Sequence, residues 1–597
     1  MKFLNKLGLL ALFAFAMSAC VDQDPEIHNF PNPDVDFTYE VAGGDSAAYK
    51  LDYYVVSHIQ FNNTSAKTGN ISWDFGAPEG EYEVTNDDIN NPIVKYKSAG
   101  RYDVTLTIDG VGSRTYPILI YDIVPKLTIS EQSMELVELN ECKVSFALRL
   151  PNPENKLVKY IWNFPEGAKD ENGQPMTTRE YTTDPETGEV ECPQNVTFSN
   201  LGSQQVTVDA IFDLGSDEER PLEQAYINVQ VASPLEAPTL YYAQVGGNIK
   251  AVKLLSDEQL AQLGNPTVFP YDMGVSSGEN PFNILYGEVK ETNEETGDVS
   301  ASQWIFILDA GKQYYYINDE GGVLGDGKIT AMRVNGTDVN TVISNVGGPA
   351  FSDPYQGCIY DGYIYYNDRN RGFSRVKMTE RGLQEGKSSD NFRTSYVATN
   401  EFIPQYDQQI AYGAISNGLY RASNGLWWWG KNYSGNGILR FSDKEIFATK
   451  AEADKVTDML DEILDGLKFT SFAVDESRNA LYVWAIGGAK GVGFLEYSIE
   501  DYSKIKLAAT ATPTAVVAMD AKPVNTTADE GVYVKQLAVH STNGRVYFGF
   551  RADAGDPSGI GTGLVYYDPE TKTCKRYAAT DDEILSVTIN PTPSKLF

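Results

Sequence analysis

The sequence predicts an all-β chain, built as two small sandwiches followed by a larger repeating array. Tyr (37) and Phe (26) are abundant, and Gly (52) and Asn punctuate short alternating runs, the pattern of strands joined by turns. Within the first 234 residues, two segments repeat one order of strand motifs. Beyond them, short aromatic runs return at intervals of about 55 to 65 residues, the signature of repeated multi-stranded units.

The chain opens with Lys2 and Lys6, an apolar run from Leu7 to Phe15, and small residues Ser18 and Ala19 before Cys20. This is the layout of a secretory signal peptide over 1–19, with an apolar run too short to span a bilayer. Residues 20–33 form a tether carrying Asp22, Asp24, Pro25 and Glu26, a composition that buries nothing. Ser18-Ala19-Cys20 resembles a bacterial lipobox, which implies that Cys20 is lipidated and becomes the mature N-terminus. The acids just behind it resemble the signal that sends lipoproteins of glycan-harvesting Gram-negative bacteria to the cell surface. The net charge of −34 disfavours nucleic acid, which needs a basic stripe. No later segment reaches the apolar length of a membrane span, so the lipid is the only expected anchor.

Residues 34–124 are expected to form the first sandwich. They contain Ile71-Ser72-Trp73-Asp74-Phe75-Gly76 and then Gly100-Arg101-Tyr102-Asp103-Val104-Thr105-Leu106, the latter alternating faces with period two. Residues 125–234 repeat the order with Tyr160-Ile161-Trp162-Asn163-Phe164 and Gly202-Ser203-Gln204-Gln205-Val206-Thr207-Val208. Both resemble PKD domains, whose W-D-F-G and G-x-Y-x-V-x-L strands imply immunoglobulin-like β-sandwiches, although Ala77-Pro78 replaces the family's usual D-G turn. Trp73 and Trp162 are expected as core plugs between sheets rather than sugar platforms. Four cysteines remain once Cys20 is acylated, and an exported chain can bridge Cys142 to Cys192. Pro234 and Pro238 interrupt the pattern, so proteolysis is expected to separate the sandwiches from the rest there.

Residues 235–597 hold the aromatic repeats, among them Tyr363-Ile364-Tyr365, Trp427-Trp428-Trp429, Leu481-Tyr482-Val483 and Val546-Tyr547-Phe548. Several strands per repeat point to a β-propeller of six or seven blades. The last run, Ile584 to Pro591, starts a unit that is never completed; pairing it with Thr239 to Ala243 would close the ring and remove both sheet edges. One insertion, 443–467, places Val456, Met459, Leu460, Ile463, Leu464 and Leu467 on one stripe, which predicts a helix packed on the propeller's side.

Catalytic motifs are sparse. Only His28, His58 and His540 are present, and no zincin motif, nucleophile elbow or phosphate loop occurs. His58 and His540 read as structural. Acids are too numerous for any spacing to single out a glycosidase pair. The Asp-rich loops at 318–321 and 325–327 do not fit the EF-hand spacing and read as turns. No cofactor is expected.

Loops directly after the aromatic strands carry Arg369 and Arg371; Lys431, Asn432 and Tyr433; Lys490; and Arg551. In a propeller such loops ring one face, where these donors either capture a polar ligand such as a carboxylate or sulfate, or are ordinary solvated turns. Trp429 is a further candidate as a stacking platform at that rim.

Lipobox, acidic tether, two PKD-like sandwiches and a C-terminal propeller together resemble the PKD-like surface lipoproteins of Sus-type nutrient importers. The resemblance implies a SusC/SusD-like TonB-dependent transporter as partner and a glycan or peptide as ligand, without catalysis. The rival readings are a propeller glycoside hydrolase or lyase, and a structural or adhesin lipoprotein.

Overall fold

The computed structural model describes residues 33–343 except 43–52, 56, 123, 130–135, 142, 150–156, 183–190, 214–218, 222, 293–294 and 312–326. Beyond these it describes 354–383 (without 369–371 and 380–381), 416–442 (without 432–436), 461–463, 467–499 (without 489–491), 514–517, 534–551 and 559–595. The chain is all-β: among the described residues the only α-helix is Asp257–Gln262, started by a Ser256/Gln259 capping box.

Residues 33–122 form two four-stranded sheets packed over an aromatic core. Strand Gly100–Ile108 alternates as its sequence demands, burying Val104, Leu106 and Ile108 and exposing the residues between more fully. Trp73 lies in that core, edge-on to Phe37 at 5.0 Å and stacked on Phe75 at 6.0 Å, with its indole N–H donated to Ile89 O (2.8 Å). The second unit is built on a six-stranded sheet and two strand pairs around Trp162, which is 0% exposed beside Phe146 (5.6 Å) and Phe164 (6.2 Å). Both tryptophans are thus held in core contacts. Cys142, and with it the expected bridge to Cys192, lies outside the described residues; burial pushes the Cys192 thiol up.

The segment between Ala232 and Ala237 is not an open linker. Ser233 and Ala237 are each 1% exposed, and the second unit docks directly on the stretch from Thr267 to Tyr271. Leu201 N–H donates to Thr267 O (3.0 Å), Phe269 N–H to Leu201 O (3.0 Å), and the Tyr271 hydroxyl to Val231 O. Gly202 makes this approach feasible: its φ is +91°, and a Cβ there would stand 1.8 Å from Phe269 O. Gly202→Ala is expected to cost at least about 2 kcal/mol, the scale of forced backbone strain, and to open 233–237 to protease while the parent resists. Equal cleavage of parent and variant would show that this docking does not protect the segment.

The remaining strands form six four-stranded antiparallel sheets among the described residues. Sheet 1 is Tyr271–Ser276, Asn248–Lys253, Ala237–Gln244 and, from the chain's end, Ile584–Ser594. The other five each run in chain order: sheet 2 starts at Pro281–Thr292, sheet 3 at Pro354–Tyr360, sheet 4 at Ser416–Arg421, sheet 5 at Leu467–Asp475 and sheet 6 at Ala538–Val539. These starting strands touch in a closed cycle, sheet 2 to 3 to 4 to 5 to 6, then to Ile584–Ser594 and back to sheet 2. The expected closure is present in register, Thr239 opposite Asn590 and Tyr241 opposite Thr588.

The expected helix over 443–467 needs correction where it is described. Asp461–Ile463 is the fourth strand of sheet 4, with Ile463 opposite Ile438, and Leu467 begins sheet 5. An apolar run this short fits either period, and the open edge of Ile438–Ser442 settles it as strand. Residues 443–460 lie outside the described set.

Candidate functional site

Antiparallel pairing fixes which loops share an end of the six-sheet cycle. Asp309 lies opposite Pro281, Asp368 opposite Pro354, Lys431 opposite Ser416 and Gly488 opposite Leu467. The second strands therefore end where the innermost strands begin. Cys20, Arg369, Arg371, Asn432, Tyr433 and Lys490 lie outside the described residues. Lys431 is the last residue of its strand. Arg551 donates Nη1 to Glu583 at 2.8 Å, an ion pair at the same end.

Trp429 is corrected as a stacking platform. It is 1% exposed, and Trp427 and Trp428 are 0% exposed, so all three rings are enclosed. Alternation sends them to both faces of the second strand of sheet 4, but both faces are covered: Tyr365 meets Trp427 at 4.7 Å, and Tyr420 meets Trp428 edge-on at 5.8 Å.

The centre of the cycle holds an arrangement that the sequence did not single out. Gln356, from sheet 3, donates Nε2 to Phe282 O (3.1 Å) and, across the axis, to Lys535 O in the approach to sheet 6 (2.9 Å). Gln536 clasps Ile284 of sheet 2 from the other side, accepting its N–H (2.9 Å) and donating to its carbonyl (2.7 Å). Asn283 completes the layer by donating to Gln356 Oε1 (3.0 Å) and accepting Gly357 N–H (3.3 Å). Sheets 3 and 6 face each other across a cycle of six, so these amides form a bar across the axis. Each satisfies backbone groups that an innermost strand would otherwise leave unpaired in a buried place. Neighbouring sheets are stitched in the same way, Asn417 Nδ2 to Phe469 O (2.7 Å), Thr470 Oγ1 to Val534 O (2.6 Å) and Ser586 Oγ to Pro281 O (2.7 Å).

On the far side of this bar lies a cavity of about 370 Å³ lined from around the cycle, with Tyr286, Cys358, Tyr420, Val474, Gln536 and Thr588 among its walls. Gly418 keeps the wall close, since a Cβ there would meet the Phe472 ring at 2.5 Å. The Cys358 thiol is pushed up to about 11 by burial, which keeps it protonated and a weak nucleophile at neutral pH. Cys574, also a free thiol, is pushed up to about 12 for the same reason.

On the near side, one residue toward the strand starts, stand Phe282, Tyr355 and Lys535. Phe282 and Tyr355 pack at 5.3 Å, each 1% exposed. Lys535 holds its ammonium 5.0 Å from the centre of the Phe282 ring and is partly exposed. Burial pushes its pKa down to about 8. Asp309, also near this end, is 2% exposed and receives the backbone N–H groups of Glu279, Asn280 and Gly311 at 2.8–3.2 Å, which makes it a turn-forming group. Burial raises its pKa.

His540 is 5% exposed, with Nδ1 accepting Thr542 N–H (3.2 Å) and burial lowering its pKa, the setting of a structural imidazole. Among the described residues, no three His, Cys, Asp or Glu side chains are grouped to hold a metal ion. A second cavity, about 490 Å³, lies where the second unit meets sheets 1 and 6 and is lined by Gln205, Asn228, Lys250, Asp272 and Arg576 among others.

No protein-family model and no curated protein matches the chain. Among solved structures it is similar to an auxiliary nutrient binding protein from Bacteroides thetaiotaomicron, at 12% identity over 74% of this chain and 83% of that one, TM-score 0.28. It is also similar to puromycin hydrolase, at 11% identity over 63% of this chain and 52% of that one, TM-score 0.25. A third likeness is to domains 4 and 5 of the S-layer protein SbsC, at 13% identity over 33% of this chain and 98% of that one, TM-score 0.17. Overlaps at these TM-scores carry no statement about fold, ligand or activity.

Proposed function

We propose that this chain is an outer-membrane surface lipoprotein, anchored through Cys20, that captures a glycan or peptide nutrient for a SusC/SusD-like importer without cleaving it. In this reading the two N-terminal units are PKD-like immunoglobulin sandwiches that raise the rest from the membrane, and the six sheets are the blades of a β-propeller. Capture takes place at the end where the innermost strands begin. The observation that carries the reading is the amide bar. Gln356, Gln536 and Asn283 bridge sheets 2, 3 and 6 across the axis and close it beneath that end. An axis closed by polar side chains drawn from several sheets suits ligand capture.

The test pairs localisation with binding. The lipidated chain is expected to fractionate with outer membranes and to be accessible to protease on intact cells, and Cys20→Ala to release it, because one acyl-bearing residue supplies the whole anchor. The mature chain is expected to bind components of polysaccharide or peptide pools in calorimetry with no new reducing ends or amines. Membrane-bound Cys20→Ala overturns the anchor, and released ends move the assignment to a hydrolase or lyase.

A further inference from the structure

We propose that the cavity between the second unit and sheets 1 and 6 binds a neutral saccharide, with Gln205 and Asn228 holding its hydroxyls and Tyr226 its ring face. The site shares no residue with the amide bar or the axial cavity, so it goes beyond the capture reading above. Three observations carry it.

The first is a preformed cleft. One wall is the outward face of the second unit's sheet, where Gln205 stands opposite Asn228. The other comes from sheet 1, with Lys250 and Asp272, and from sheet 6, with Arg576. Main-chain bonds hold the walls at a set spacing: Ser203 N–H donates to Pro270 O (3.2 Å) and Ala579 N–H to Val268 O (3.2 Å), and three of these four residues line the cavity. Every residue of the lining belongs to the described set. The volume, about 490 Å³, falls within the roughly 300–1,000 Å³ of small-molecule sites.

The second is the chemistry of the lining. Its charged side chains are Lys250 and Arg576 against Asp272 and Asp581, two of each sign, so a ligand bearing net charge gains from one pair and loses to the other. Lys250 is bridged to Asp582 (3.0 Å), and Asp272 accepts Asn248 Nδ2 (3.0 and 3.2 Å), which sets both heads in place. Gln205 and Asn228 are both exposed and present their amides from paired positions. An amide offers an acceptor and a donor in one plane, the complement of neighbouring sugar hydroxyls, each of them donor and acceptor at once. An apolar ligand would strip water from these groups and give them no partner in return.

The third is an aromatic ring beside the amides. Strand Ala225–Ala232 alternates, burying Ala225, Val229 and Val231 and turning Tyr226 and Asn228 outward on one face. Tyr226 is 64% exposed and stands opposite Thr207, one outward pair along from Gln205 and Asn228. A ring this open, two residues from a lining amide, can lie against the C–H face of a pyranose while its hydroxyl stays in water. Phe269, half-buried in the lining itself, adds a second apolar patch. Planar amides with an open aromatic ring, and no net charge, match a neutral sugar.

The experiment is calorimetry of the full mature chain with maltohexaose, cellohexaose and xylohexaose, and with hexagalacturonate and hexaalanine as charged and peptide probes. At least one neutral hexasaccharide is expected to bind about tenfold or more tighter than the last two. Tyr226→Ala, and Gln205→Ala combined with Asn228→Ala, are each expected to weaken it about tenfold. Tyr226→Phe is expected to keep it within about threefold because the ring face stays, with melting curves confirming that all three variants fold. Undiminished binding in Tyr226→Ala and in the double variant overturns the proposal and leaves capture at the axis standing. Tighter binding of hexagalacturonate or hexaalanine overturns it too. So does the failure of every neutral hexasaccharide to bind, in which case binding from the nutrient pools decides the capture reading separately.

Discussion

Removal of residues 584–597 is expected to abolish the cooperative unfolding of the six-sheet cycle. Ile584–Ser594 is the innermost strand of sheet 1 and the link between sheets 6 and 2, so its loss exposes two sheet edges. Ile584, Leu585 and Val587 are at most 1% exposed, and burying each contributes roughly 1.5–3 kcal/mol. The Ser586 bond to Pro281 O and the Thr588 bond from Tyr286 N–H go with them. So do two acceptors of the Lys253 ammonium, Ser594 O at 2.6 Å and Ser594 Oγ at 2.8 Å. The sum approaches the whole stability of a typical domain, about 5–15 kcal/mol. The milder Leu585→Ala is expected to cost about 2–5 kcal/mol, the range for a fully buried leucine. Calorimetric melting of the full chain, the truncation and Leu585→Ala checks this. An unchanged midpoint in the truncation would mean that the cycle holds without its closing strand.

That closure is legible in the sequence because it rests on a local signal, an apolar run with no partner in its own repeat. The aromatic second strands are legible for the same reason: Tyr482, Tyr547 and Trp428 recur at the same place in their units and are buried on both faces. The fourth strand of sheet 4 is not. Ile463 and Leu467 fall on a helical stripe in sequence, and only the unpaired edge of Ile438–Ser442 makes Asp461–Ile463 a strand. Trp429 misleads because amphipathic Trp suits binding surfaces in general, whereas inside the cycle both faces of its strand meet neighbours. The amide bar is invisible in the sequence, since Gln356 and Gln536 stand alone in runs that look like ordinary strand starts. Their partners, Lys535 O and Ile284, lie 179 and 252 residues away. Lys535 escapes notice because it precedes a first strand rather than following a second one.

The contribution of two buried lysines to stability is expected to rise between about pH 8 and 10, against an opposing contribution from buried thiols and tyrosines. Lys253, 2% exposed, and Lys535 are both pushed down to about 8 by burial, against about 10.4 in an unfolded chain. Below pH 8 both states are protonated and the folded state bears the full penalty, at most about 3 kcal/mol for each shift of this size. As pH rises through 8 the folded lysines release their protons while the unfolded ones keep theirs, so at these two sites the unfolded state binds more protons and their contribution to stability rises until about 10.4. The thiols and tyrosines act the other way: Cys358 and Cys574 are pushed up to about 11 and about 12 by burial, against about 8.5 in an unfolded chain, so their contribution falls from about pH 8.5 upward. Tyr242 and Tyr577 are held well above 10 by burial, so the unfolded chain ionises first and stability falls beyond that point. Exposed carboxylates are ionised in both states throughout this range and do not contribute. Lys535→Met isolates one term, since it keeps the apolar stem over Phe282 and removes the charge without leaving an acceptor unpaired. It is expected to stabilise the chain by about 2 kcal/mol at pH 7 and to match the parent near pH 10.5. Urea unfolding of both proteins at pH 7, 8.5, 9.5 and 10.5 measures the difference. A gap that stays constant across that range would show that the Lys535 ammonium is already compensated in the folded chain.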